Sequence, residues 1–321
     1  MLTCRACQTD CGFRIVDFRL EREQVDLSII ILNWNAGDDT IACIHPILQW
    51  QQIRPLTIVI DNASTDGSAD QIAAALPDVQ LIRNGRNEGF AGGSNRGMEA
   101  ALAAGDAPVL LLNNDAMIAE ADVLRLLQTL DERPEIGFVV PQIFNAESND
   151  LISSGGKNPV LHHQTRVRSF PNDAPVQIVE TVSGTAVLLR PTMLRQIGLL
   201  DERFFFSTEL ADLCLRGKKH GFLSAVEQRA RATHTVSRSV DYRSSLYVYY
   251  IVRNRFLILR NHYRRHLPLY LFWAAYSAAL SFKLRLTGPQ ATARAVRLGL
   301  WDGVNGRFGG QNERVLAYCN R

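Results

Sequence analysis

The residues best equipped for chemistry lie in the run RNGRNEGFAGGSNRGMEAALAAGDAPVLLLNNDA, from Arg83 to Ala116. The apolar segment Val109–Leu112 predicts a buried strand that ends on Asn113-Asn114-Asp115. A carboxylate delivered at the carboxyl end of such a strand is a hard oxygen ligand, placed where an α/β sheet presents a cation to a nucleotide diphosphate. Before it, Gly89, Gly92, Gly93 and Gly97 read as a loop whose backbone can approach a charged ligand closely. Further along, Glu209, Asp212 and His234 supply two more carboxylates and an imidazole.

These residues need elements to hold them. Leu27–Leu32 is a β-branched apolar run and predicts a strand, as do Thr57–Asp61, Val79–Arg83 and Pro108–Leu112. Helices are expected between them, at Asp38–Gln51, from Ser68 with Gln71 completing a capping box, and at Gly93–Ala104. Short strands alternating with helices imply a mostly parallel sheet covered on both faces. Its strand ends are Asn33-Trp34-Asn35, Asp61-Asn62, Arg83-Asn84 and Asn113–Asp115. All four are polar, and ligands of such sheets bind beyond those ends. Past residue 120 the expectation is a helix at Ala121–Glu132, strands at Gly137–Gln142, Ile178–Arg190 and Gly221–Val226, a helical pattern in Phe204–Lys219, loops over 145–176, and helices from Ser244 to a loose glycine-rich tail.

Composition narrows the classes. The chain of 321 residues, 46% hydrophobic, is long enough for a full core. No run of 18 apolar residues occurs, and no basic flank, apolar run and cleavage site open the chain, so the expected compartment is the cytoplasm. Cys4-x-x-Cys7 with Cys11 is half of a zinc pattern and has no second half nearby, so residues 1–25 read as a flexible extension. From Cys214 to Arg321 there are 19 Lys/Arg and 4 Asp/Glu, while the rest of the chain carries 16 and 28. A basic last part suits anionic phosphates or an anionic membrane surface, and the aromatic-bearing region 243–285 is the expected place for peripheral membrane contact. No nucleic-acid-binding motif accompanies the charge, and no nucleic acid partner is expected.

Taken singly, each candidate has a plainer reading. Asp61 and Asp115 could be turn acids, His234 a hydrogen-bonded structural histidine, and Glu209 and Asp212 helix-terminal charges. Together, in order, they carry a resemblance. Ser28–Asn35, Asp61–Ser68, Asn87–Gly97, Leu111–Asp115, Ser154-Gly155-Gly156, Val182–Ala186, Gly198–Phe205, Asp212–Arg216, His234 and Arg253-Asn254-Arg255 resemble the family 2 inverting glycosyltransferases of the GT-A fold, with bacterial rhamnosyltransferase-like enzymes as the branch they look most like. The fold implied is α/β, a mostly parallel central sheet flanked by helices, with the domain at 26–242 and a basic helical extension at 243–321.

The resemblance also implies roles. Asp61 would receive the N3–H of a uracil or thymine ring, with Asn33 and Asn35 shaping the base and ribose pocket. Asn87, Gly89 and Asn95 would lie along the nucleotide with Asn113 and Asn114, Asn113 standing as a weaker ligand where the family's metal motif has its first acid. Arg253 would pair with the diphosphate or an acceptor phosphate. Asp115, with His234 beside it, would hold Mg²⁺ or Mn²⁺. The partners implied are a nucleotide-sugar donor, dTDP-rhamnose or a UDP-sugar, and a glycan or lipid-linked acceptor in cell-surface polysaccharide assembly. One position departs. The family's Glu-Asp-x-Asp is here Glu209-Leu210-Ala211-Asp212, so leucine replaces the usual base. Glu209 is then the first candidate for that role and Asp212 the second, although helix neighbours point about 100° apart. Loss of catalysis, with binding retained, is the remaining alternative.

Overall fold

The structure is a computed structural model, and it describes residues 25–235 and 240–320. The cysteine pattern at Cys4, Cys7 and Cys11 lies outside these residues. In chain order the first half runs β1 (Leu27–Asn33), α1 (Gly37–Ile44), β2 (Pro55–Asp61), α2 (Ser68–Ala75), β3 (Gln80–Arg83), α3 (Gly89–Ala104), β4 (Val109–Asn113), β5 (Ala116–Ile118) and α4 (Glu120–Glu132). There follow β6 (Ile136–Asn145), β7 (Leu151–Ser153), β8 (Val176–Val179), β9 (Ala186–Leu189), α5 (Pro191–Ile197), α6 (Glu209–Lys219) and β10 (Leu223–His234). Four helices close the chain: α7 (Val240–His262), α8 (Leu267–Thr287), α9 (Gln290–Asn305) and α10 (Asn312–Cys319).

One sheet has the order β3-β2-β1-β4-β9-β6-β10-β5, with β7 on β6 and β8 on β10. Its first four strands are parallel, and residue alternation sends their side chains to both faces. Ile29, Ile31, Val59, Leu110 and Leu112 pack under α1 and α4. Ile30, Ile58, Ile60, Val109 and Leu111 pack under α3, α5 and α6. Beyond β4 the sheet is mixed rather than mostly parallel, because β9 runs antiparallel to both β4 and β6, and β5 antiparallel to β10. Parallel neighbours need a long crossover, and the turn between β6 and β7 is too short for one.

Local chemistry explains the other departures from expectation. Helix α1 stops at Ile44 because Pro46 follows, leaving a short 3-10 turn at Ile47–Gln49. At α2 the capping box does not form: the Asp66 carboxylate accepts from Ser68 N–H, and Gln71 donates instead to Asp38. Helix α3 begins at Gly89, so most of the expected glycine loop is helix. Gly97 is there for contact, since a Cβ at this position would stand 2.4 Å from Ile30 Cγ2. The expected strand Ile178–Arg190 is broken into β8 and β9 by the Thr181–Thr185 segment. The glycine-rich tail is not loose, for α10 packs Val315 and Cys319 against Tyr249 and Leu298.

Candidate active site

The parallel strands deliver their polar ends to one place, and α1 wires them together. Asn33, buried at the end of β1, donates through Nδ2 to Asp61 Oδ1 at 2.8 Å, with Ser64 and Ser68 hydroxyls also in range. Thr40 on α1 donates to Asn33 Oδ1 at 2.9 Å and accepts from Asn114 Nδ2 at 3.1 Å. One chain of hydrogen bonds therefore joins β2, β1, α1 and the turn after β4. Asp61 also accepts from Ser64 N–H at 3.1 Å. Asn35, at φ 52°, accepts from Thr65 N–H at 2.8 Å, locking the two loops to each other. Thr40 and Ser64 complete this network; Ser64 lies within the Asp61–Ser68 segment of the resemblance, whereas Thr40 belongs to no motif that marks it in the sequence. A polar residue on the helix after β1 was the one signal for Thr40.

Asn62 organises the next loop. Its Nδ2 donates to Asn87 Oδ1 and Gly89 O, both at 3.0 Å, while its Oδ1 accepts from Asn84 and from Glu88 N–H. Gly89 sits at φ +72°, and a Cβ there would fall 2.3 Å from Phe205 O. The start of α3 is thus pressed against the Phe205 segment, whose carbonyl accepts from Ala91 N–H at 3.2 Å. Asn95 points elsewhere than expected. Its carboxamide bonds Leu200 through both ends and donates to Glu202 at 3.0 Å, so it fastens α3 to the 200–202 turn rather than lining the nucleotide.

Asp115 and His234 meet as the sequence suggests. His234 Nε2 lies 3.0 Å from Asp115 Oδ1, and both side chains keep a fifth to a quarter of their surface exposed. Beneath them, burial and then the Asp115 charge push the Cys43 thiol up to about 12, and it donates to Ala116 O at 3.3 Å. Among the described residues no three His, Cys, Asp or Glu side chains gather into a metal cage. A partly exposed carboxylate is a donor suited to Mg²⁺ or Mn²⁺, so Asp115 and His234 are compatible with such a cation if oxygen ligands from outside the protein complete its shell.

The segment before α6 is strained and tightly held. Phe205, Ser207 and Thr208 all have positive φ, at 63°, 69° and 68°. Asn254 on α7 reaches the carbonyls of Phe204, Phe206 and Ser207 at 3.1, 2.8 and 2.7 Å. Arg253 donates to Phe204 O at 2.7 Å, Arg203 O at 3.2 Å and Gly309 O, and is fully buried. Its guanidinium is spent on these carbonyls and on Asn254 Oδ1, which corrects the expectation that it faces a diphosphate or an acceptor phosphate. Strain of this kind persists where surrounding structure over-determines it, and it accumulates at functional sites.

That segment ends on Glu209, the first residue of α6. The residue is 7% exposed, its buried Oε2 has no hydrogen-bond partner, and Thr208 Oγ1 beside it has none either. Burial raises its pKa to about 7. Leu210 turns into the apolar cluster with Val182 and Ala91, and its Cδ2 would touch a Cβ placed on Gly184 at 3.5 Å. Thr185, next to Gly184, accepts from Asn113 N–H at 2.9 Å, so α6 begins close to the end of β4. Asp212 differs. Burial opposes its charge, but hydrogen bonds from His262 at 2.8 Å and Asn261 at 2.9 Å, with Arg216 at 2.8 Å, hold its carboxyl below the usual range. With both oxygens engaged, Asp212 ties α6 to α7, which corrects its place as second candidate base. A cavity of about 560 Å³ opens elsewhere, against Lys157, Phe170 and Cys214 near the start of β10, while His234 stands at the far end of that strand.

The chemistry-bearing groups are thus a polar rim at the ends of the parallel strands, the partly exposed Asp115 and His234, and the buried Glu209 with its unpartnered Oε2. The family model "Glycosyl transferase family 2" matches residues 28–197, which is just over half of the chain. The chain belongs to this family. It is a glycosyltransferase. It is 28% identical over 238 residues to the low-salt glycan biosynthesis hexosyltransferase Agl10 of Haloferax volcanii, covering 72% of this chain and 75% of that one. It is 28% identical over 213 residues to the N-acetylglucosaminyl-diphospho-decaprenol L-rhamnosyltransferase of Mycobacterium tuberculosis, covering 58% and 68%. Among solved structures, GalNAc-T7 with UDP, GalNAc and Mn²⁺ superposes with a TM-score of 0.61 at 16% identity, over 81% of this glycosyltransferase and 51% of that chain. That likeness shows the GT-A fold.

Proposed function

We propose that this glycosyltransferase moves a sugar from a nucleoside diphosphate to a hydroxyl of a glycan or lipid-linked glycan, with inversion and with Glu209 as the base. The carrying observation is the buried Glu209 carboxyl at the start of α6, its Oε2 without a partner and its pKa raised by burial to about 7. A base poised near the working pH is what proton abstraction from a hydroxyl requires. As Glu209 takes that proton, the acceptor oxygen forms its bond to the anomeric carbon. The carbon–oxygen bond to the diphosphate breaks, and its electron pair leaves with the nucleoside diphosphate.

The remaining residues bind and orient. Asp61, fixed by Asn33 and Ser64, is aimed to accept from a pyrimidine N3–H, and the Asn62-organised loop of Asn87 and Gly89 follows the nucleotide. Asn113 and Asn114 border the diphosphate. Asp115 and His234 would hold Mg²⁺ or Mn²⁺, which supplies charge stabilisation to the departing phosphates. L-Rhamnose from dTDP-rhamnose is the donor we favour, supported by the rhamnosyltransferase relative. Residues 26–242 would form the transfer domain and 243–321 a helical extension. A thermal-shift panel of dTDP-, UDP- and GDP-sugars, each with and without Mn²⁺, tests the reading, since a ligand that binds the folded state raises its stability. A Mn²⁺-dependent shift with dTDP-rhamnose that Asp115→Asn abolishes is expected. No shift with any donor would overturn the proposal.

A further inference from the structure

Helix α8 carries five large apolar side chains on its outer face. Leu267, Leu271, Phe272, Phe282 and Leu286 are 64%, 61%, 54%, 64% and 67% exposed, while Trp273 and Ser277 are buried on the opposite side. At about 100° per residue the exposed five fall within one arc, and exposed Ala275 and Ala279 fill the gap between them. The stripe runs the length of the helix, roughly 30 Å at 1.5 Å per residue. Contiguous apolar surface of this extent is uncommon on a soluble protein and marks an interaction site.

Charge identifies the occupant. Between Asp241 and Asp302 lie sixty residues with no Asp or Glu and ten Lys or Arg. Four of these basic residues are exposed at the ends of the stripe: Arg264 and Arg265 just before α8, and Lys283 and Arg285 in its last turns. On the helical wheel Lys283 and Arg285 border the stripe on its two sides, where long basic side chains can reach phosphates while their stems lie on apolar surface. A second copy of this chain would bring two acid-free basic faces together, which like-charge repulsion opposes. No helix among the described residues is long and apolar enough to cross a membrane.

We propose that α8 lies flat in the headgroup region of an anionic phospholipid bilayer, with its apolar stripe inserted and its arginines and lysines on the lipid phosphates. This rests on the exposed face and its basic flanks, and stands or falls separately from the sugar-transfer reading. The full chain is sedimented with vesicles of phosphatidylcholine, with and without phosphatidylglycerol. Binding to the phosphatidylglycerol vesicles alone is expected. The paired variants Leu271→Glu/Phe282→Glu and Arg264→Glu/Arg265→Glu, both at exposed positions, should each weaken it by roughly tenfold or more. Their melting temperatures should match the parent's, which separates lost docking from lost folding. Failure to pellet with anionic vesicles, or unchanged pelleting of Leu271→Glu/Phe282→Glu, would overturn the proposal. So would a dimer by light scattering that this pair dissociates, since a second copy would then occupy the face.

Discussion

Glu209 and Asp212 stand one turn apart on α6, and their carboxylates live in opposite circumstances. Asp212 accepts from His262, Asn261 and Arg216, whereas Glu209 Oε2 accepts from nothing. The first is a tie between helices. The second is a buried group with one oxygen unpartnered by the protein, and in the proposed reaction the acceptor hydroxyl would be its partner.

Asp212→Ala should therefore act first on stability. It would strip the buried partner from Arg216 and His262, and breaking a buried pair on one side costs about 3–5 kcal/mol. Urea denaturation at neutral pH measures this directly. An Asp212→Ala variant as stable as the parent, with turnover abolished, would return Asp212 to the list of bases.

Asn254→Ala should loosen the approach to α6. Three carbonyls with strained neighbours lose their common donor, and a stability loss on the order of 2 kcal/mol follows, with a lower kcat. Donor-induced thermal shifts should change little, because the Asp61 and Asp115 ends of the site do not depend on Asn254. A lost donor shift with kcat intact would be the opposite of the expected split.

Leu210→Asp puts a carboxylate where the resemblance places a base. Leu210 is 3% exposed among Val182, Ala91 and Phe90, so the substitution buries an unpaired charge and should destabilise by about 3 kcal/mol without raising turnover. A gain of several orders in turnover would instead show that the base belongs at 210 and that Glu209 does not serve.

Glu209 also makes stability depend on pH. Its folded pKa of about 7 lies above the ordinary 4.5, so the folded state holds this proton more tightly than the unfolded one. Its contribution is fully present below pH 4.5 and is lost as pH rises through 7. The size is roughly 3 kcal/mol at about 1.4 kcal/mol per unit. Glu209→Gln removes the titration. The stability difference between parent and variant should shift by that amount between pH 4 and pH 8, in favour of the variant at the higher pH, as chemical denaturation at both values would read ~. A difference that stays flat with pH would mean that the carboxyl titrates normally.

Much of this site was legible where chemistry repeats along the chain. The β-branched runs at Leu27–Leu32 and Thr57–Asp61 mark the parallel strands, and each ends on the polar residues that now share a hydrogen-bond network. Asp115 and His234 lie 119 residues apart, and the resemblance alone linked them before the fold placed them 3.0 Å from each other. What was hidden depends on direction. A glycine run reads as a loop, yet here it opens α3, because glycine lets that helix lie against β1. Arg253 and Asn95 are polar enough to suggest ligands, and nothing local says that neighbouring backbone and side chains already take up what they offer. The mixed half of the sheet was equally closed to periodicity, which reports a strand and not its direction.

The most direct test of the central claim is the pH dependence of single-turnover sugar transfer, measured for the parent and for Glu209→Gln with donor bound. The base must be ionised to act, so the parent rate should rise with pH through about 7 and then level. Glu209→Gln should be slower by about 10²–10⁴-fold and lose that inflection while keeping its donor-induced thermal shift. A variant that transfers sugar at the parent's rate, with the same pH profile, would contradict the assignment of Glu209 as the base.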